Sequence, residues 1–108
     1  MAYDESLAMR IRSIAENMDQ PFVEKKMFGG LSFLYKGKMT VGIIKDQLCA
    51  RIIESDFPNL FDDTNVTPMN FTGKIMKDFV YVSQDGLQSD EDIKIWIERG
   101  LNHARSKL

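Results

Sequence analysis

Between Phe22 and Ile53 the chain is a succession of short apolar runs rich in Val, Ile, Phe and Tyr, divided at Gly29-Gly30, Gly37-Lys38 and Asp46-Gln47. Runs of this kind, each closed by turn-forming residues, predict four strands in an antiparallel meander. Two-residue loops at the last two divisions then fix which side chains share a face, because strand side chains alternate with a period of two. On that register Leu34, Met39, Val41, Ile43, Leu48, Ala50 and Ile52 make an aliphatic face. Leu31, Phe33, Tyr35, Thr40, Gly42, Ile44, Cys49, Arg51 and Ile53 make the other, with Arg51 opposite Gly42 and Phe33 beyond it. The aliphatic face has to be covered.

The two ends of the chain supply the cover. Leu7, Ala8, Ile11, Ile14, Ala15 and Met18 recur at steps of three and four, which predicts a helix capped by Asp4 and stopped at Asp19-Gln20-Pro21. Near the other end Ser89 and Asp92 have capping-box spacing, and Asp90, Glu91 and Asp92 place negative charge at the positive end of a helix. Ile93, Trp96, Ile97, Leu101, Ala104 and Leu108 form its apolar stripe, with Arg105 and Lys107 at its far end. Gly100 in that helix costs about 1 kcal/mol against alanine, so close packing is expected there. Ser55 to Asp63 reads as a short connecting helix, and Phe79 to Ser83 as a fifth strand broken by Asp85-Gly86. The expected fold is α+β: a two-layer sandwich in one domain spanning 1–108, with a five-stranded, mainly antiparallel sheet and both terminal helices on one face. The other face is left to solvent or a partner.

Composition narrows the function classes. Hydrophobic residues at 44% and charged residues at 28% fit a soluble globular domain. Fourteen Lys and Arg against sixteen Asp and Glu give a net charge of −2, without the basic excess that drives non-specific nucleic-acid binding. Direct binding to DNA is therefore the weaker expectation, requiring Lys25, Lys26, Lys36, Lys38, Lys74 and Lys77 to cluster. One cysteine, Cys49, forms no internal disulfide, and no apolar leader or membrane span is visible, so a cytoplasmic protein is expected. His103 and Cys49 are the only strong nitrogen or sulfur ligands, so no metal and no cofactor are expected. His103 reads as a solvated surface side chain and Cys49 as a small buried thiol. Gly37-Lys38 and Gly73-Lys74 lack the rest of a phosphate loop, and no serine has a nucleophile-elbow sequence. The chain reads as non-enzymatic, the alternative being a small-ligand or enzymatic site in which Arg51 anchors an anion and a lysine assists chemistry.

Two features remain. One is Arg51 over the bare backbone of Gly42 with Phe33 beside it, either a structural stack or, joined by Lys26, Lys74 and Lys77, a basic patch with an aromatic floor suited to an acidic peptide, a carboxylate or a phosphate. The other is the fifteen-residue stretch from Thr64 to Asp78, either a loop that folds back and presents Lys74 and Lys77, or an irregular strand and turn completing the sheet.

The chain also resembles a known family. Met1-Ala2-Tyr3-Asp4-Glu5, Lys26-Met27-Phe28-Gly29-Gly30, Gly37-Lys38-Met39, Gly42, Arg51, Pro68-Met69, Phe71, Gly73, Met76-Lys77, Tyr81-Val82, Trp96 and Ala104-Arg105-Ser106 look like the TfoX (also called Sxy) N-terminal domain family over essentially the whole chain. Within that pattern Phe28, Gly29, Gly30, Gly42 and Gly73 read as structural positions. The resemblance implies an α/β two-layer fold similar to secretion-chaperone-like domains. It also implies a regulatory role in natural competence alongside a protein partner, the transcription factor cyclic-AMP receptor protein, with no catalytic residues. A homo-oligomer is compatible with it. Full-length members carry a further C-terminal domain, which would begin where this chain ends at Leu108.

Overall fold

The computed structural model describes residues 3–18, 22–27, 30–53, 65–71 and 74–107, with 27, 68–71 and 74–78 described through their backbone alone. Helix α1 (Glu5–Asn17) begins where the Asp4 carboxylate accepts the Leu7 amide at 3.1 Å, the cap expected from the sequence. Six strands follow: β1 (Phe22–Met27), β2 (Gly30–Tyr35), β3 (Lys38–Ile44), β4 (Gln47–Arg51), β5 (Val66–Phe71) and β6 (Lys74–Val82). A 3-10 turn at Gln84–Gly86 leads to α2 (Asp90–Ser106), whose capping box joins Ser89 and Asp92 in both directions. The expected helix over Ser55–Asp63 lies outside the described residues, as do Phe28, Gly29 and Gly73.

The sheet is antiparallel throughout, in the order β1-β2-β3-β4-β6-β5, so β1 and β5 are its edges. It has one strand more than expected. Val66–Phe71 pairs with β6, which places most of the Thr64–Asp78 stretch in a strand pair completing the sheet. Helix α2 lies over β3 and β4, and α1 packs beside α2 on the same side. No helix among the described residues is long and apolar enough to cross a membrane.

The expected register is corrected at one point, and the cause is local. Both tight turns fall one residue earlier than expected, at Lys36-Gly37, where φ is 51° and 83°, and at Lys45-Asp46, where Lys45 has φ 57°. Moving a turn by one residue preserves which side chains share a face. A bulge does not. Leu34 pairs with Met39, but Phe33 pairs with Val41, so Thr40 is an extra residue in β3. Its hydroxyl donates to the Phe33 carbonyl oxygen at 2.8 Å, giving that carbonyl a partner in the broken ladder. The extra residue reverses the parity of β2: Leu31, Phe33 and Tyr35 join Val41, Ile43, Leu48, Ala50 and Ile52 in the main core, while Leu34 moves to the opposite face with Met39.

The expected close packing at Gly100 is present. A Cβ there would lie 2.5 to 2.9 Å from the backbone of Thr40, so the bare helix seats directly on the bulge. Gly30 is constrained similarly, because a Cβ would run into the Ile43 carbonyl.

Candidate functional site

Arg51 ends β4. Its neighbours in alternation, Leu48, Ala50 and Ile52, point into the main core, so Arg51, with Cys49, projects from the face opposite α1 and α2. The side of the sheet expected for Arg51 is therefore the side it occupies. Directly across the ladder is Phe79, and the guanidinium carbon sits 5.2 Å from the centroid of that ring. A guanidinium over an aromatic face gains about 0.5 to 2 kcal/mol, rising as the pair is desolvated. Arg51 Nε is buried and has no hydrogen-bond partner among the described residues, which sets a desolvation cost against that gain.

Around this pair lies a second, smaller apolar cluster. Met39, Cys49 and Phe79 are 5%, 1% and 8% exposed, and Leu34, Ile44 and Tyr81 pack against them half-buried. Burial pushes the Cys49 thiol up to about 12 and raises Tyr81 above its ordinary value, so both stay neutral at physiological pH. A protonated, buried thiol is a poor nucleophile. Among the described residues around this cluster, Arg51 supplies the fixed charge.

The remaining expected partners are dispersed. Phe33 is 1% exposed in the main core on the other face, so the aromatic floor beneath Arg51 is Phe79. Gly42 pairs with Cys49 rather than with Arg51, and its bare spot is filled by the Met39 methyl and the Cys49 sulfur, 3.1 and 3.2 Å from where a Cβ would stand. Lys26 is opposite Leu31 on the edge strand, which puts it on the helix side of the sheet. Lys74 and Lys77 belong to β6, but their side chains lie outside the described residues.

His103, expected on the surface, is 2% exposed. It extends the row Trp96–Gly100–His103, at steps of four and three, against the sheet side of α2, a spacing that was present in the sequence. Among the described residues no group of three or more His, Cys, Asp or Glu is placed to hold a metal.

Other cation and aromatic pairs had no clear sequence signal. Tyr35 carries Lys36 at 5.5 Å and Arg105 at 5.6 Å, and meets the edge of Phe22 at 6.4 Å. Arg99 lies 4.6 Å from the Trp96 ring centre. Between α1 and β1, Arg12 grips Glu24 through two bonds of 2.6 Å, which holds the Glu24 carboxyl below its usual value. A shallow depression beside that pair, lined by Ala15, Glu16, Phe22 and Phe33, is bordered by charges that already satisfy each other.

Comparison with known proteins gives one match. Residues 17–104 fit the family model of the TfoX N-terminal domain. No curated protein and no solved structure matches the chain.

Proposed function

We propose that this chain, which belongs to the TfoX N-terminal domain family, is a non-enzymatic regulatory or protein-interaction domain that recognises its partner through the Arg51 side of the sheet. The observation that carries the reading is the Arg51–Phe79 stack, which holds a guanidinium in an apolar setting with its buried Nε unsatisfied among the described residues. Arg51 is half-buried, so a carboxylate brought by a partner would pair with the accessible part of its guanidinium, and charge-assisted hydrogen bonds of that kind are about twice as strong as neutral ones. The state of Cys49 supports a role without nucleophilic chemistry. In keeping with the family, the partner is a transcription factor such as the cyclic-AMP receptor protein, the process is competence regulation, and the site of action is the cytoplasm.

The test is quantitative capture of partners on the tagged chain and on Arg51→Met, together with transcription in a deletion strain. Loss of specific capture in the variant and altered transcription in the deletion are expected. Capture that is equal for both chains, with unchanged transcription, overturns the proposal. A second reading, a small anionic ligand held by Arg51, is favoured by the same stacked, half-buried guanidinium. Thermal-shift screening separates the two, because a ligand at 100 times its Kd stabilises by about 2.7 kcal/mol.

A further inference from the structure

The two edges of the sheet differ. Strand β5 carries Pro68 and a register shift between Pro68 and Asn70, both of which interrupt pairing along an edge. Strand β1 has neither: its six residues pair with β2 in unbroken register, and none is proline. Val23, Glu24, Lys25 and Lys26 are all exposed, so side chains on both faces of this strand reach solvent. An antiparallel edge of this length presents unpaired backbone donors and acceptors to any extended segment that fits it.

Charge decides which segment fits. Glu24 is held bidentately by Arg12, so its charge is already matched within the chain. Lys25 and Lys26 make no ion pair among the described residues. They are adjacent in the strand and therefore project from opposite faces, Lys25 opposite Ser32 and Lys26 opposite Leu31. A second copy of the chain is a poor occupant. Two-fold antiparallel pairing centred on β1, with both helix layers kept on one side, sets Glu24 against Glu24 or Lys25 against Lys25, like charges directly opposite, and the Glu24–Lys26 pairs that the second register also makes gain little because Arg12 already holds Glu24.

We infer that β1 is a docking edge for an extended acidic segment of a partner protein, which adds a seventh strand and places carboxylates against Lys25 and Lys26. The backbone ladder supplies affinity, and the two lysines, one on each face, select a segment with adjacent acidic residues. This surface rests on the interaction reading above but not on Arg51.

The probe is a blocked hexapeptide with two central glutamates flanked by valine and threonine, compared with its twin carrying two lysines. It is titrated into the full chain while amide exchange is followed residue by residue. Binding of the acidic peptide, slower exchange within Phe22–Met27, and at least tenfold weaker binding both for the twin and for the double variant Lys25→Glu/Lys26→Glu are expected. Both positions are exposed, so the variant keeps the wild-type melting temperature, which is measured in parallel. The inference is overturned by any of four results: no binding up to about 10 mM, equal binding of the twin, protection appearing at β5 instead, or a dimer that the double variant abolishes. Absence of specific partner capture by the wild-type chain while the peptide still binds sinks the functional reading and leaves this one standing. Capture that survives without peptide binding does the reverse.

Discussion

The two faces of the sheet are built on different principles. On the helix side, aliphatic residues from β2, β3, β4 and β6 fill one continuous core under α1 and α2, and α2 approaches so closely at Gly100 that the Thr40 backbone is its neighbour. On the other side the described cluster is small, with Met39, Cys49 and Phe79 at its centre and a cation at its rim. One face is optimised for contact within the chain. The other retains a buried polar atom that no described residue satisfies. Stability is therefore expected to depend steeply on the first face and weakly on Arg51.

The sharpest way to break that contrast is to crowd each face in turn. Gly100→Val drives a branched side chain into the Thr40 backbone, where neither partner has a flexible end to move. It is expected to cost about 3 kcal/mol, at the upper end for overpacking, and to lower Tm by more than about 10 °C. A melt within a few degrees of wild type would show that the helix does not seat there. Gly42→Val, on the opposite face, meets the Leu31 carbonyl at 2.8 Å and the ends of Met39 and Cys49 just beyond 3 Å. Because two of those three neighbours are side-chain ends, a smaller loss of about 1 to 2 kcal/mol is expected in denaturant titration. A loss larger than that of Gly100→Val would invert the comparison.

The smallest of these effects belongs to the rim. Arg12→Ala removes the half-exposed partner of Glu24 and is expected to cost about 0.5 kcal/mol at neutral pH, less at high salt. Glu24 has a lowered folded-state value, so the pair's contribution is complete above the ordinary carboxyl value of 4.5 and is lost as pH falls through the lowered one. The stability gap between variant and wild type should close in that acid range. A gap that stays constant into strong acid would mean that the arginine acts by packing alone.

Much of this contrast was legible in the sequence, and the exceptions have physical causes. Both helices, their caps and the seat for Gly100 follow from period, capping chemistry and the cost of a mid-helix glycine. The side occupied by Arg51 follows from alternation along β4, which no bulge interrupts. The position of Phe33 did not follow, because Thr40 looks like an ordinary strand residue and nothing local marks it as the one that reverses parity. Phe79 as the partner of Arg51 was hidden for a different reason. That pairing joins strands separated by a long connection, and sequence spacing carries no information about which strand β6 will lie beside. Strand β5 was one of two open readings of the Thr64–Asp78 stretch, left undecided by its weak periodicity, and Pro68 is tolerated in it because the strand is an edge.

The central claim is that Arg51 serves recognition more than folding, and Arg51→Met tests it directly. Methionine keeps most of the volume, can contact the Phe79 ring through sulfur, and removes the buried nitrogen that lacks an acceptor. Melting and partner capture should be measured on the same preparation. The account predicts a melting temperature within a few degrees of wild type and at least tenfold weaker capture. A collapse in melting temperature, or capture at the wild-type level, would contradict it.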